Sequence, residues 1–117
     1  MEDNKSIQQL SFEVKTDSGF RILTANDILY VRASGKFSII FLKDQTEIIA
    51  YHLLKWFENY LDEPLFFRCH KSFLVNCQYV DCYCNKKIIL LSKKEILLSR
   101  HRILLFKENL GFLATRT

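Results

Sequence analysis

Three short stretches of the 117-residue chain crowd hydrogen-bond donors together: Gly35-Lys36, Arg68-Cys69-His70-Lys71-Ser72, and Ser99-Arg100-His101-Arg102. Two chemistries compete for them. Cysteine beside histidine is the composition of a nucleophile and its base. Runs of Lys, Arg, His and Ser neutralise phosphates and reach the acceptors of a DNA groove. Catalysis is the weaker reading, because neighbours in an extended chain point to opposite sides, so Cys69 and His70 cannot pair with each other. Nothing in the sequence requires His52 or His101 to approach the thiol. There is no nucleophile elbow, phosphate-binding loop or dinucleotide fingerprint. The chain is therefore expected to be neither an enzyme nor a cofactor carrier.

The cysteines, Cys69, Cys77, Cys82 and Cys84, follow the spacing C-x7-C-x4-C-x-C. That pattern lacks the paired knuckles of structural zinc, and no metal is expected. The first ten residues, MEDNKSIQQL, form no secretory signal, and no apolar run approaches the ~18 residues that span a bilayer. A cytoplasmic location without membrane insertion is expected, and there thiols stay reduced. Cys82 and Cys84, on one side of the strand YVDCYC beside Val80, are expected to be small buried apolar residues. A redox-sensing role for Cys69 stays open, since nearby cations lower a thiol pKa.

The net charge of +4 conceals an asymmetry. Through Glu63 there are seven Lys/Arg against ten Asp/Glu; from Pro64 onward there are ten against three. A basic half suits a polyanionic partner, and equally a solvated basic face. The last cluster sharpens the choice. Ser99 stands where an N-cap belongs, and cations in a first helical turn oppose the helix dipole by ~0.3–1 kcal/mol each. An anion docked against the free N–H groups there would offset that opposition, as would arginine stems reaching into water.

The elements that hold these clusters read mostly as strands. In LSFEVKTDSGFRILT, Phe12 and Val14 alternate with Glu13 and Lys15, and Asp17-Ser18-Gly19 turns the chain. DILYVRASGKFSIIFL repeats the design through Ser34-Gly35, with Phe37, Ile39 and Phe41 on one face and Ser38 on the other. YHLLKWFENYL changes to helical spacing and ends before Pro64. LFFR, the irregular CHKSFLVN, YVDCYC, IILL and EILLS follow. The chain closes with a helix over RHRILLFKENL that Gly111 is expected to stop. With ten Phe and five Tyr against three Gly and one Pro, this is mainly antiparallel β with two short helices in one domain. Residues 1–9 and 113–117 are expected as flexible ends around a domain over residues 10–112. His70 and Asn76 carry a second expectation, that they bond the backbone of the irregular segment. Arg68 is equally suited to pair with a carboxylate such as Asp81.

FFRCHKSFLVN, followed by Tyr79-Val80, resembles the F-x-R-x-H-x-S-x-x-V-N signature of the LytTR-type DNA-binding domain, the output module of many bacterial response regulators. DILYVRASGKFSIIF resembles that family's D-I-x-Y segment and next strand, and LLSRHRILLFKENL its Ser-Arg ending before the final helix. The resemblance runs from about Leu10 to Leu110. It implies elongated antiparallel sheets, a LytTR-like β sandwich, whose loops enter successive major grooves on one side of DNA. It also implies base-reading positions at Lys36, Lys71 and His101. The flanking Arg68, His70, Ser72, Arg100 and Arg102 would touch phosphates or brace the loops.

The expected partner is double-stranded DNA carrying paired short repeats about one helical turn apart, each read by one protomer of a dimer on DNA, for transcription control. A receiver domain or sensor protein is a further expected partner, because the chain carries none of its own. The alternative is a regulatory protein-interaction module of the same fold without DNA binding.

Overall fold

The computed structural model describes residues 11–62 and 64–115; the flexible end expected over residues 1–9 lies outside the described residues. Ten strands form among the described residues, with hydrophobic alternation clearest in β1, β4 and β5. β1 (Ser11–Thr16) and β2 (Gly19–Thr24) form a hairpin with Phe12 and Val14 buried and Glu13 and Lys15 outward. β3 (Ile28–Ser34), β4 (Phe37–Leu42) and β5 (Glu47–Ala50) precede helix α1 (Leu54–Tyr60). Then come β6 (Phe66–His70), β7 (Phe73–Asn76), β8 (Val80–Cys84), β9 (Lys87–Leu90) and β10 (Glu95–Leu97), and the chain ends in helix α2 (Ile103–Thr115). Every ladder is antiparallel. The sheets are β1-β2, β5-β4-β3-β7-β6 and β10-β9-β8.

The five-stranded sheet lies between two cores. On one face Val31, Ile40, Phe66 and Leu74 pack against the β1–β2 hairpin and against Leu54 and Phe57 of α1. On the other, Tyr30, Phe67, Cys69 and Val75 pack against Ile88, Leu90 and Ile96 of the three-stranded sheet and Phe106 of α2. Adjacent residues of a strand point to opposite faces, so Phe66 and Phe67 serve different cores. The molecule is a flattened slab, 42 × 39 × 24 Å.

Three local expectations change. Cys82 and Cys84 are exposed, whereas Cys69 and Cys77 are buried. A register shift between Val80 and Cys82 breaks the alternation of β8. Tyr83 then faces the core, edge-on to Phe106 at 5.2 Å between ring centres, and the cysteines on either side face out. In β4 the strand does alternate as expected, but the buried face is that of Ser38, Ile40 and Leu42, with Ser38 Oγ donating to the His52 carbonyl at 2.8 Å. Finally, α2 runs past Gly111 to Thr115. Gly111 keeps a negative φ and makes no left-handed cap, so residues 113–115 are helical.

Candidate nucleic-acid interface

The three donor clusters lie side by side at one end of the five-stranded sheet. β3 and β4 join through Gly35-Lys36, where Gly35 at φ +61° supplies the left-handed corner of a two-residue hairpin. β7 pairs with β3, with Arg32 opposite Phe73, which sets the Lys71-Ser72 tip of the β6–β7 hairpin beside the first tip. On the far side of β6 the chain turns through residues 99–102, ending in a 3-10 turn over Arg100–Arg102.

Five consecutive carbonyls, of residues 68–72, are all occupied, and three of them tie the tips together. Arg68 O accepts from Arg102 Nε at 3.0 Å and Cys69 O from the Ser99 N–H at 2.8 Å, which ties the third tip to the second. The His70 and Lys71 carbonyls both accept from the Arg68 guanidinium, Nε at 3.0 Å and Nη2 at 2.5 Å. Ser72 O accepts from the Ala33 N–H at 2.9 Å, which ties the second tip to the first. A turn whose backbone acceptors are all occupied has few ways to rearrange.

The side chains then divide. Lys36, Lys71, Arg100 and His101 are exposed, and among the described residues no hydrogen bond or ion pair engages their side chains. Arg68 is not free: besides the two carbonyls, its Nη1 meets Glu58 Oε1 of α1 at 2.8 Å, so its carboxylate partner is Glu58 and not Asp81. Arg102 holds Arg68 O, and its guanidinium sits 5.2 Å from the centre of the Phe67 ring. The half-buried His70 accepts the Ser72 N–H through Nδ1 at 3.0 Å. Burial, then Lys71 and Arg68, holds its pKa below the ordinary imidazole value, in keeping with an unprotonated Nδ1 acceptor. Ser72 is half-buried and contributes its backbone to both neighbours. Ser99 stands at the N-cap with extended backbone, but no side-chain cap bond forms.

Cys69 sits inside this cluster and is fully buried, its Sγ 3.4 Å from the Leu97 carbonyl. Burial pushes the thiol up to about 12 despite Arg102 and Arg68 nearby. At neutral pH it stays a protonated, inert packing residue, the opposite of a redox sensor's thiol. Asn76 is likewise structural: it is fully buried, with Nδ2 donating to Ile28 O at 2.9 Å and Oδ1 accepting the Gln78 N–H at 3.1 Å.

Two residues that matter to the site escape the sequence reading. Glu58 lies in the YHLLKWFENYL helix, outside all three donor clusters. Arg32, an exposed cation on β3 next to the tips, packs its guanidinium 5.6 Å from the centre of the Phe41 ring. Among the described residues no group of three or more potential metal ligands occurs, and no helix is long and apolar enough to cross a membrane.

A family model described as the LytTr DNA-binding domain matches residues 18–111, a span that includes all three tips. Among solved structures, the LytTr DNA-binding domain of a methyl-accepting/DNA response regulator from Bacillus cereus superposes with a TM-score of 0.72. The two chains are 21% identical, and the match covers 86% of this chain and 96% of that one. At this identity the likeness concerns the fold. No curated protein matches the chain.

Proposed function

The chain belongs to the LytTR family of DNA-binding domains, and on that premise we propose that it binds double-stranded DNA sequence-specifically, as the output domain of a transcriptional regulator. Lys36, Lys71 and His101 address base edges in the major groove, and Arg100 takes a phosphate. Ser72 lends its hydroxyl at the central tip. Arg68, His70 and Arg102 act from behind, as braces. Two protomers sit on paired repeats about one helical turn apart, ~34 Å centre to centre.

One observation carries the reading: three tips fastened to one another leave just those side chains exposed and unpaired that a polyanion would engage. A cation that already has an internal carboxylate or carbonyl has less to offer a phosphate; Lys36, Lys71 and Arg100 have none.

The test is a duplex selected from a random pool, titrated at several salt concentrations. Lys36, Lys71 and Arg100 together bring three positive charges against the duplex and displace about three counterions, a log–log slope of about −2.7, so affinity should drop roughly fortyfold between 50 and 200 mM salt. The Lys36→Ala/Lys71→Ala/Arg100→Ala triple variant should lose that slope. Equal retention on DNA by the wild type and the triple variant would favour the protein-interaction module instead.

A further inference from the structure

Glu58 lies on the helix α1, ten residues before Arg68 and outside the motifs that carry the family resemblance. We infer that Glu58 is a positioning residue that sets sequence discrimination at the central tip through Arg68, without itself touching DNA; this rests on the DNA-binding reading above.

The path is short and fully drawn. Phe57, the residue before Glu58, is fully buried in the first core, so the helix that carries Glu58 is anchored. Glu58 Oε1 receives Arg68 Nη1 at 2.8 Å, and the other two nitrogens of the same planar group hold the His70 and Lys71 carbonyls. A guanidinium is a rigid fork: fixing one prong on the helix fixes the direction of the others. Lys71, whose side chain leaves the tip beside those carbonyls, therefore inherits its aim from α1. Asp62 lines the same open cavity as Glu58 and Arg68, yet forms no ion pair with Arg68.

Electrostatics and positioning make opposite demands here, which exposes the inference to test. Removing an acidic residue from a DNA-binding surface should tighten binding to any duplex, because repulsion of phosphate is lost and Arg68 is freed. If Glu58 aims the tip, its loss must instead weaken binding to the preferred duplex alone.

The experiment compares the full chain with Glu58→Ala and Glu58→Gln, on the selected duplex and on a scrambled one at equal salt, with thermal melting to confirm folding. Both variants remove the charge, but glutamine keeps the acceptor oxygen. The expected result is that both bind the scrambled duplex at least as tightly as wild type. The preference for the selected duplex should fall by roughly tenfold or more in Glu58→Ala, the scale of one lost base contact. Glu58→Gln should retain much of it. In a Lys71→Ala background the Glu58→Ala effect should vanish. An unchanged preference in Glu58→Ala, identical behaviour of the two variants, or an undiminished effect in the Lys71→Ala background would overturn the inference.

A second arm needs no DNA: amide hydrogen exchange at Ser72, whose N–H is held by His70 Nδ1, should accelerate in Glu58→Ala and less so in Glu58→Gln. Unchanged exchange would overturn the inference by itself. Accelerated exchange in a protein that selects no duplex would mean that the DNA-binding reading fails while the brace stands.

Discussion

Arg68 and Arg100 belong to equally basic stretches, and only their surroundings separate a brace from a free cation. Sequence shows a side chain's chemistry but not whether a carboxylate ten residues away has already claimed it. The same holds for Asn76, whose amide lies in the core and fastens the end of β7 to the Ala25 and Ile28 carbonyls. Asn76→Ala leaves buried backbone groups unsatisfied, each worth ~1–3 kcal/mol. The expected loss is about 3 kcal/mol in a urea melt, with DNA affinity per folded molecule unchanged. Histidine 70 was legible as a residue that matters, and two roles fitted it; the 3.0 Å contact to the Ser72 amide gives it a structural one. Cys82 and Cys84 were illegible, because a single register shift in β8 inverts which residues face inward, and no local composition announces such a shift.

At the scale of elements, strands and turns were readable because period-two alternation and Asp-Ser-Gly or Ser-Gly punctuation have local causes. Helix ends were less so. Gly111 lies inside α2 with nothing within 4 Å of the Cβ that an alanine would add. Gly111→Ala should therefore raise stability by ~0.5–1 kcal/mol, read as a higher melting temperature. The 3-10 turn over Arg100–Arg102 offers a sharper contrast within three residues. Arg100→Ala should lower the salt slope of DNA binding by about one and leave the melting temperature alone. Arg102→Ala should cost roughly 1–2 kcal/mol of stability through the lost bond to Arg68 O and the lost contact with Phe67. It should weaken DNA binding with the slope unchanged. Equal slopes in the two variants would contradict this division of labour.

For the molecule as a whole, the sandwiching of the central sheet between two cores was only half visible. LFF reads as one apolar run, and the run does not say that Phe66 and Phe67 belong to different cores. Two imidazoles tie the layers and tips together in neutral form. His52 accepts the Lys15 N–H at 3.1 Å and stacks on Trp56 at 3.8 Å between ring centres, and His70 holds the Ser72 amide. For His52, burial and then Lys15 hold the pKa below the ordinary value, and His70 is shifted in the same direction. Above ~6.5 both are neutral whether folded or unfolded, and their effect on stability is flat. As pH falls below that value the unfolded chain takes up protons first, so stability declines until the folded-state values are also passed. A urea midpoint that drops between pH 7.5 and 5 is expected; one that stays level would remove these two residues from the account.

The row of occupied carbonyls over residues 68–72 bears on the thermodynamics of recognition. A tip backbone already held in one shape surrenders little backbone entropy on docking, which leaves the cost of ordering to the exposed side chains. On the proposed sequence-specific role, a mismatched duplex would meet a backbone that does not remodel itself to accommodate it, so selectivity would come from stiffness more than from the number of contacts.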